Sequence, residues 1–284
     1  MQSLWMLAAG GLFACMGVFV KLGAAYFSST ELVLYRSLVG LVVIYAIIRH
    51  QRLPLTARHW KIHGWRGVSG FTSLLLYFYA ISRLPLATAV TLNYTSPLFF
   101  ALFTTIVLKE RTHWPLVAAI GLGFIGVVLL LKPTFNHDQL FTGLAGLTSG
   151  FFAGIAYFNV KRLGEIGEPE WRVVFYFTLV CTVGAGMGML FGSFHSVNSD
   201  NVLILLGLGT TATLAQLALT RALGKGNALV SGSLAYSTVA FASLFGIILW
   251  GEILPPSGWL AIGLIAAGGI LSFKAARPRG MPDE

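Results

Sequence analysis

The chain has 284 residues, 56% of them hydrophobic and only 10% charged, where a soluble domain carries roughly a quarter of its residues as Asp, Glu, Lys and Arg. Ten per cent cannot clothe a globule in water, so the remaining surface must face lipid, and the 33 glycines suit helices that meet in a bilayer through small residues. Two cysteines, Cys15 and Cys181, lie inside apolar runs, which excludes a disulfide scaffold and a Cys-rich metal site.

A helix needs roughly 20 apolar residues to cross a bilayer. Ten such stretches are predicted, at 3–22, 32–48, 65–82, 86–108, 115–131, 141–160, 172–192, 201–220, 228–250 and 257–274. Pro85, Pro115 and Pro256 stand at starts, where a missing N–H costs nothing. The first stretch is expected to remain as a span rather than act as a cleaved leader. Its run is long, no basic segment precedes it, and Lys21 follows it. No long polar head or tail is present, so no appended soluble domain is expected.

Orientation follows the basic residues. One set of alternating connections holds Arg49, Arg52, Arg58, Lys61, Arg66, Lys109, Arg111, Lys161, Arg162, Arg172, Arg221, Lys225, Lys274, Arg277 and Arg279, fifteen of the nineteen. The opposite set holds Lys21, Arg83 and Lys132, and Arg36 lies within a span. Both termini are therefore expected in the cytoplasm, which agrees with an even number of spans. The net charge of +9 reflects this bias and not a nucleic-acid surface.

Shifting the sequence by 142 residues aligns Ala80, Leu92, Tyr94, Phe99, Leu102, Phe103, Ile106 and Glu110 with Ala222, Leu234, Tyr236, Phe241, Leu244, Phe245, Ile248 and Glu252. Apolar matches between membrane helices are weak indications. Two glutamates, each with a tyrosine sixteen residues upstream, are stronger. The chain thus divides into five-span halves at 1–134 and 135–284. An odd number of spans per half forces opposite insertion. The expected fold is an all-α membrane protein of two inverted five-helix repeats, a framework that carries substrate between its halves near the midplane.

The run Leu84-Pro85-Leu86-Ala87-Thr88-Ala89, then Ser96-Pro97-Leu98-Phe99 and Leu108-Lys109-Glu110-Arg111, with Trp250-Gly251-Glu252 in the second half, resembles the EamA-type members of the drug/metabolite transporter superfamily. The likeness covers essentially the whole chain. It implies a ten-span metabolite transporter of a bacterial inner membrane, with exporters of aromatic and other hydrophobic amino acids as the first subgroup to consider.

Polar residues deep in a span must find a partner or water and are the candidates for substrate contact. The fourth span offers Thr91, Asn93, Tyr94, Thr95 and Ser96. The following Pro97 cannot donate to the Asn93 carbonyl. That carbonyl and the Asn93 amide could read a substrate amine or hydroxyl, or a neighbouring Ser or Thr could satisfy the kink. The equivalent stretch has Ser231, Ser233, Tyr236, Ser237 and Thr238 with Val239 in place of proline, so only the first half is expected to kink. Gln216, Tyr157, Tyr77 and Tyr79 are further candidates, Asn159 reads as structural, and Trp5 and Phe13 either line the cavity or face lipid. Arg36, about five residues or 7–8 Å into its span, can snorkel, pair with Glu31 or hold a substrate carboxylate. Glu110 and Glu252 read as interfacial residues that fix the turns before Pro115 and Pro256.

Other patterns are set aside. Gly121-Leu-Gly-Phe-Ile-Gly126 has no preceding strand, and Gly146/Gly150/Gly154 and Gly184/Gly188/Gly192 read as helix contact stripes. Gly67-Val-Ser-Gly70 matches a short intramembrane-protease motif, but the six histidines fall in connections and give the serine no base. No cofactor is implied and an enzyme is not expected. With no acidic residue near the midplane, facilitated diffusion or exchange of a neutral or zwitterionic substrate is expected, by a monomer or weak homo-oligomer. The alternatives are a proton-coupled exporter of a nucleoside, drug-like or cofactor-like metabolite, a channel, or a membrane enzyme.

Overall fold

The computed structural model describes residues 2–108, 114–131, 137–251, 253 and 255–275. Among these the chain is all helical, with a short 3₁₀ turn at Gln2–Leu4 and twelve α-helices. These are α1 (Trp5–Gly23), α2 (Ser29–His50), α3 (Trp60–Arg83), α4 (Leu86–Asn93), α5 (Ser96–Leu108) and α6 (Trp114–Leu131), then α7 (His137–Glu165), α8 (Glu170–Met189), α9 (Ser199–Lys225), α10 (Ala228–Ala235), α11 (Ser237–Trp250) and α12 (Pro256–Ala275). One helix, or two end to end, occupies each of the ten predicted stretches. Among the described residues six stretches are long and apolar enough to cross a membrane: Gln2–Gly23, Ser29–His50, Leu140–Glu165, Glu170–Met189, Asn201–Lys225 and Val230–Trp250. The chain is a multi-pass integral membrane protein.

The boundaries follow local chemistry. Ser28 and Glu31 form a reciprocal capping box at the start of α2, which satisfies two otherwise unpaired amide donors. Leu84, held extended before Pro85, ends α3. Gly251 at φ +63° ends α11, in a left-handed conformation that glycine adopts without a Cβ penalty. Several helices outrun their apolar stretches. In particular α3 begins at Trp60 and takes His63 into the helix, where the sequence predicts a connection, because a helix can continue through polar residues that hydropathy does not register.

The fourth and ninth predicted stretches are each broken. Between α4 and α5, Thr95 donates to the Leu92 carbonyl from its amide at 3.3 Å and from its hydroxyl at 2.8 Å. Pro97 follows as the second residue of α5. Between α10 and α11, the Tyr236 amide donates to Ser233 at 3.3 Å and the Val239 amide to Tyr236 at 3.0 Å. The expectation that only the proline-bearing half would kink is therefore overturned. Tight i→i−3 hydrogen bonds close both turns, so a break needs no proline if its backbone finds partners and a fitted neighbour.

That neighbour is a glycine in each case. A Cβ on Gly150 of α7 would stand 2.8 Å from the Leu92 carbonyl oxygen and 3.0 Å from that of Asn93. One on Gly10 of α1 would stand 2.6 Å from Ser237 Oγ and 3.3 Å from the Thr238 amide nitrogen. The Gly146/Gly150/Gly154 stripe runs the length of the first break, with Gly146 against Leu92 and Gly154 against Phe99 and the Ser96 carbonyl. The largest helix contacts follow a reciprocal pattern: α1 with α9, α3 with α7, α2 with α8, and α6 with α12.

Ion pairs join the helix ends. On the basic side, Lys225 meets Glu170 at 2.7 Å, Arg172 meets Glu168 at 2.8 Å, and His63 lies 3.7 Å from Glu168. On the other side Glu31, fully buried, accepts from the His195 amide and contacts its ring nitrogen at 2.8 Å.

Replacing Gly150 by Ala drives a methyl into backbone that has no rotamer to retreat to, and overpacking of this kind costs roughly 1–3 kcal/mol. A lowered unfolding midpoint is expected for Gly150→Ala in detergent, and none for Gly121→Ala, whose Cβ would meet nothing within 4 Å.

Candidate functional site

A narrow cavity of about 50 Å³ lies beside the first break, walled by α1, α3, α4, α7, α8 and α9. Small-molecule sites typically measure roughly 300–1,000 Å³, so a metabolite can enter only if the wall helices separate. Each wall side chain is aimed inward by its place on a helix. Arg66, Gly70, Ser73, Leu74 and Tyr77 recur at three- and four-residue intervals along α3 and so share one face. Asn93 and Tyr94 arrive from the break, Ala153, Ala156 and Tyr157 from α7, Phe177 from α8 and Gln216 from α9.

The polar wall has a defined order. The Asn93 amide nitrogen donates to Ser149 Oγ at 2.9 Å, and Ser149 donates onward to the Gly146 carbonyl at 2.6 Å. This ties the break to α7 through side chains as well as through Gly150. Arg66 Nη2 donates to Gln216 Oε1 at 3.0 Å, joining α3 to α9. The Arg66 guanidinium lies 3.8 Å from the centre of the Phe177 ring, a cation–π distance. Gly70 makes room for it, since a Cβ there would collide with Arg66 Nη1 and stand 2.7 Å from Phe177. The Gly67-to-Gly70 motif thus has a packing role, with Gly67 against Val180. The Tyr77 hydroxyl is buried without a hydrogen-bond partner among the described residues, as are those of Tyr236 and Ser237.

The predicted candidates divide by position. Asn93, Tyr94, Tyr77, Tyr157 and Gln216, with Phe13, line the cavity. Thr91, Ser96, Pro97 and Ser233 are buried in the broken helices but lie outside its wall. Tyr236 packs its ring against Gly123, and Ser237 sits at Gly10, both at the second break. Tyr79, two residues from Tyr77, points away from the cavity. Its ring meets Phe141 at 6.2 Å and lies under Arg83. Trp5 is 44% exposed and belongs to a separate groove with Trp171 and Leu217, where Arg221 lies over its ring at 5.0 Å. Asn159 donates to the Ile155 carbonyl within its own helix. Glu110 and Glu252 lie outside the described residues.

Arg36 is 2% exposed and does not line the cavity. Its guanidinium lies 5.5 Å from the centre of the same Phe177 ring, and its Nε and Nη1 have no partner among the described residues. Glu31, considered as its counter-ion, is committed to Ser28 and His195. Arg66, which the charge pattern groups with the basic residues of the connections, is 2% exposed and forms part of the wall. A signal exists in its position: Arg66 falls inside the predicted third span.

Comparison with known proteins agrees with this architecture. The EamA-like transporter family matches residues 1–132 and again residues 140–274. The chain belongs to that family. The pseudopaline exporter CntI of Pseudomonas aeruginosa is 30% identical over 263 residues, covering 91% of this chain and 88% of that protein. A riboflavin transporter of Vibrio cholerae is 25% identical over 270 residues, covering 93% and 89%. A solved crystal structure superposes with a TM-score of 0.80 at 18% identity, covering 96% of this chain and 97% of that one. It shares the fold.

Two substitutions separate support from contact. Asn93→Ala removes a buried amide bonded to Ser149 and is expected to cost about 1–2 kcal/mol of stability, read as a lower unfolding midpoint. Tyr77→Phe removes a buried hydroxyl that no group among the described residues satisfies. It should leave the midpoint unchanged or raise it slightly.

Proposed function

We propose that the chain is a secondary transporter that moves a small metabolite by alternating access between two inverted five-helix halves. In this reading ten spans cross a bacterial inner membrane with both termini in the cytoplasm. The observation that carries it is the cavity itself. Its wall draws α1, α3 and α4 from the first half and α7, α8 and α9 from the second, at the level where a helix is broken. This is where inverted-repeat carriers bind substrate.

Two further features support opposed halves. The helix pairings are reciprocal, so that the first helix of each half packs on the third of the other. The first helix of each half also supplies the glycine that seats the other half's break. The bias of fifteen basic residues in one set of connections against three in the other supports a cytoplasmic face for the first set.

Export of amino acids, aromatic and hydrophobic ones first, by exchange or facilitated diffusion remains the substrate reading drawn from the sequence. The relatives widen the range to test, since their names specify pseudopaline and riboflavin. An aromatic lining of Phe13, Tyr77, Tyr94, Tyr157 and Phe177 suits a substrate with an apolar or aromatic body.

The test is counterflow in proteoliposomes with radiolabelled Phe, Trp, Thr, Met and riboflavin. Saturable uptake stimulated by internal unlabelled substrate, and reduced at least several-fold in Tyr157→Ala, is the expected result. Flux that rises linearly with concentration would indicate a channel. A strict requirement for a pH gradient would replace exchange with proton coupling.

A further inference from the structure

The cavity and the space behind it hold two arginines and no acid among the described residues. Arg66 lies in the wall and Arg36 on the same aromatic ring, both 2% exposed. The ten acidic residues occur at positions 31, 110, 138, 165, 168, 170, 200, 252, 283 and 284. Those among the described residues, at 31, 138, 165, 168, 170 and 200, each stand at a helix end or in a connection. Glu31, the acid buried nearest Arg36 in sequence, is held by Ser28 and His195. Glu168 and Glu170 serve Arg172 and Lys225.

An unpaired cation in the interior of a membrane protein is costly and is retained where a pathway uses it. The partners that Arg66 does have are neutral: the Gln216 amide oxygen and the face of Phe177. Among the described residues its Nε has no acceptor, and neither have Nε and Nη1 of Arg36. A guanidinium presents parallel donors in a fork that matches a carboxylate. Gly70, lacking a side chain, leaves the Arg66 head group its room in the wall.

We propose that Arg66, with Arg36 beside the same Phe177 ring, is a carboxylate-binding subsite of the transport cavity, so that the substrate carries an acid group at the Arg66 end and an apolar body toward Tyr77 and Tyr94. The assignment rests on the carrier reading and deepens it by naming the substrate class. It also accounts for Phe177, whose ring centre lies 3.8 Å from the Arg66 guanidinium and 5.5 Å from that of Arg36 and so holds both cations near one place. Arg66 is the contacting residue, and Arg36 acts through the field at a greater distance.

The experiment is thermal unfolding of the purified full-length protein in detergent, titrated with sodium acetate and sodium malonate. Sodium chloride, sodium phosphate and ethylammonium chloride serve as controls at matched ionic strength. Ligands that bind only the folded state raise the midpoint saturably. The carboxylates are expected to do so and the controls are not. Arg66→Gln should weaken carboxylate binding about ten- to hundredfold, as loss of a charge-assisted fork implies, and Arg66→Lys should recover part of it. Arg36→Gln should weaken it less. It also serves as the second variant if Arg66→Gln fails to fold.

Equal stabilisation by chloride or phosphate, no carboxylate effect on the wild type, or an undiminished effect in Arg66→Gln overturns the assignment. A counterflow substrate without an acid group would sink the carboxylate subsite and leave the carrier intact. Carboxylate-specific stabilisation lost in Arg66→Gln, without counterflow of any tested solute, would support the subsite while the carrier reading failed.

Discussion

A backbone break inside a membrane protein must be hidden from lipid, and the structure is organised around that constraint. Lipid offers no hydrogen bonds, so an interrupted helix is tolerated only where protein covers it or where it lines a cavity. Here α4 and α5 part at Tyr94 and Thr95, α10 and α11 at Tyr236. Gly150 and Gly10 bring a helix backbone directly against each break. The residues freed by the first break, Asn93 and Tyr94, become wall residues of the cavity. The glycine stripe and the polar cluster are two sides of one requirement.

The cavity's chemistry follows from what surrounds these breaks. The wall is largely aromatic and small, with hydrogen bonds from Asn93 to Ser149 and to Ser73 and from Arg66 to Gln216. These join different helices, α4 to α7 and to α3, and α3 to α9. The same contacts that shape the site therefore also hold the helices together across it, and opening the cavity must strain or exchange them. A substrate group that replaces the lost contacts lowers the cost of opening, which is how binding energy can drive a conformational change.

Much of the helical layout is legible in the sequence, because apolar runs, prolines and the placement of Lys and Arg are strong physical signals. Asn93, Tyr94, Tyr77, Tyr157 and Gln216 can be named because a polar group in an apolar span demands a partner. The break at Tyr236 is not legible, since its cause is a neighbour, Gly10, more than 200 residues away. Tyr77 and Tyr79 cannot be separated without knowing which face of α3 meets α7. Arg66 passes for a surface residue in the sequence, because a basic residue near a span end normally marks the cytoplasmic side. Only the start of α3 at Trp60 puts it more than a turn inside the helix, and only the ring of Phe177 and the carboxamide of Gln216 show where it points.

The seating of α5 and α4 on Gly150 also defines a fulcrum. α7 spans 29 residues, about 43 Å at 1.5 Å per residue, and Gly150 stands near its middle. A lever pivoted there moves little at the centre and most at its tips: a tilt of about 10° displaces each tip by roughly 3–4 Å. Near one tip, where α7 ends at Glu165, Glu168 ties the connection that follows to Arg172 of α8 and lies close to His63 of α3. The Lys225–Glu170 pair between α9 and α8 is more exposed and more readily loosened, since exposed pairs are individually weak and screened by salt. The close glycine contact thus stands near the middle of α7, and the ionic fastenings stand near its end, where leverage is greatest.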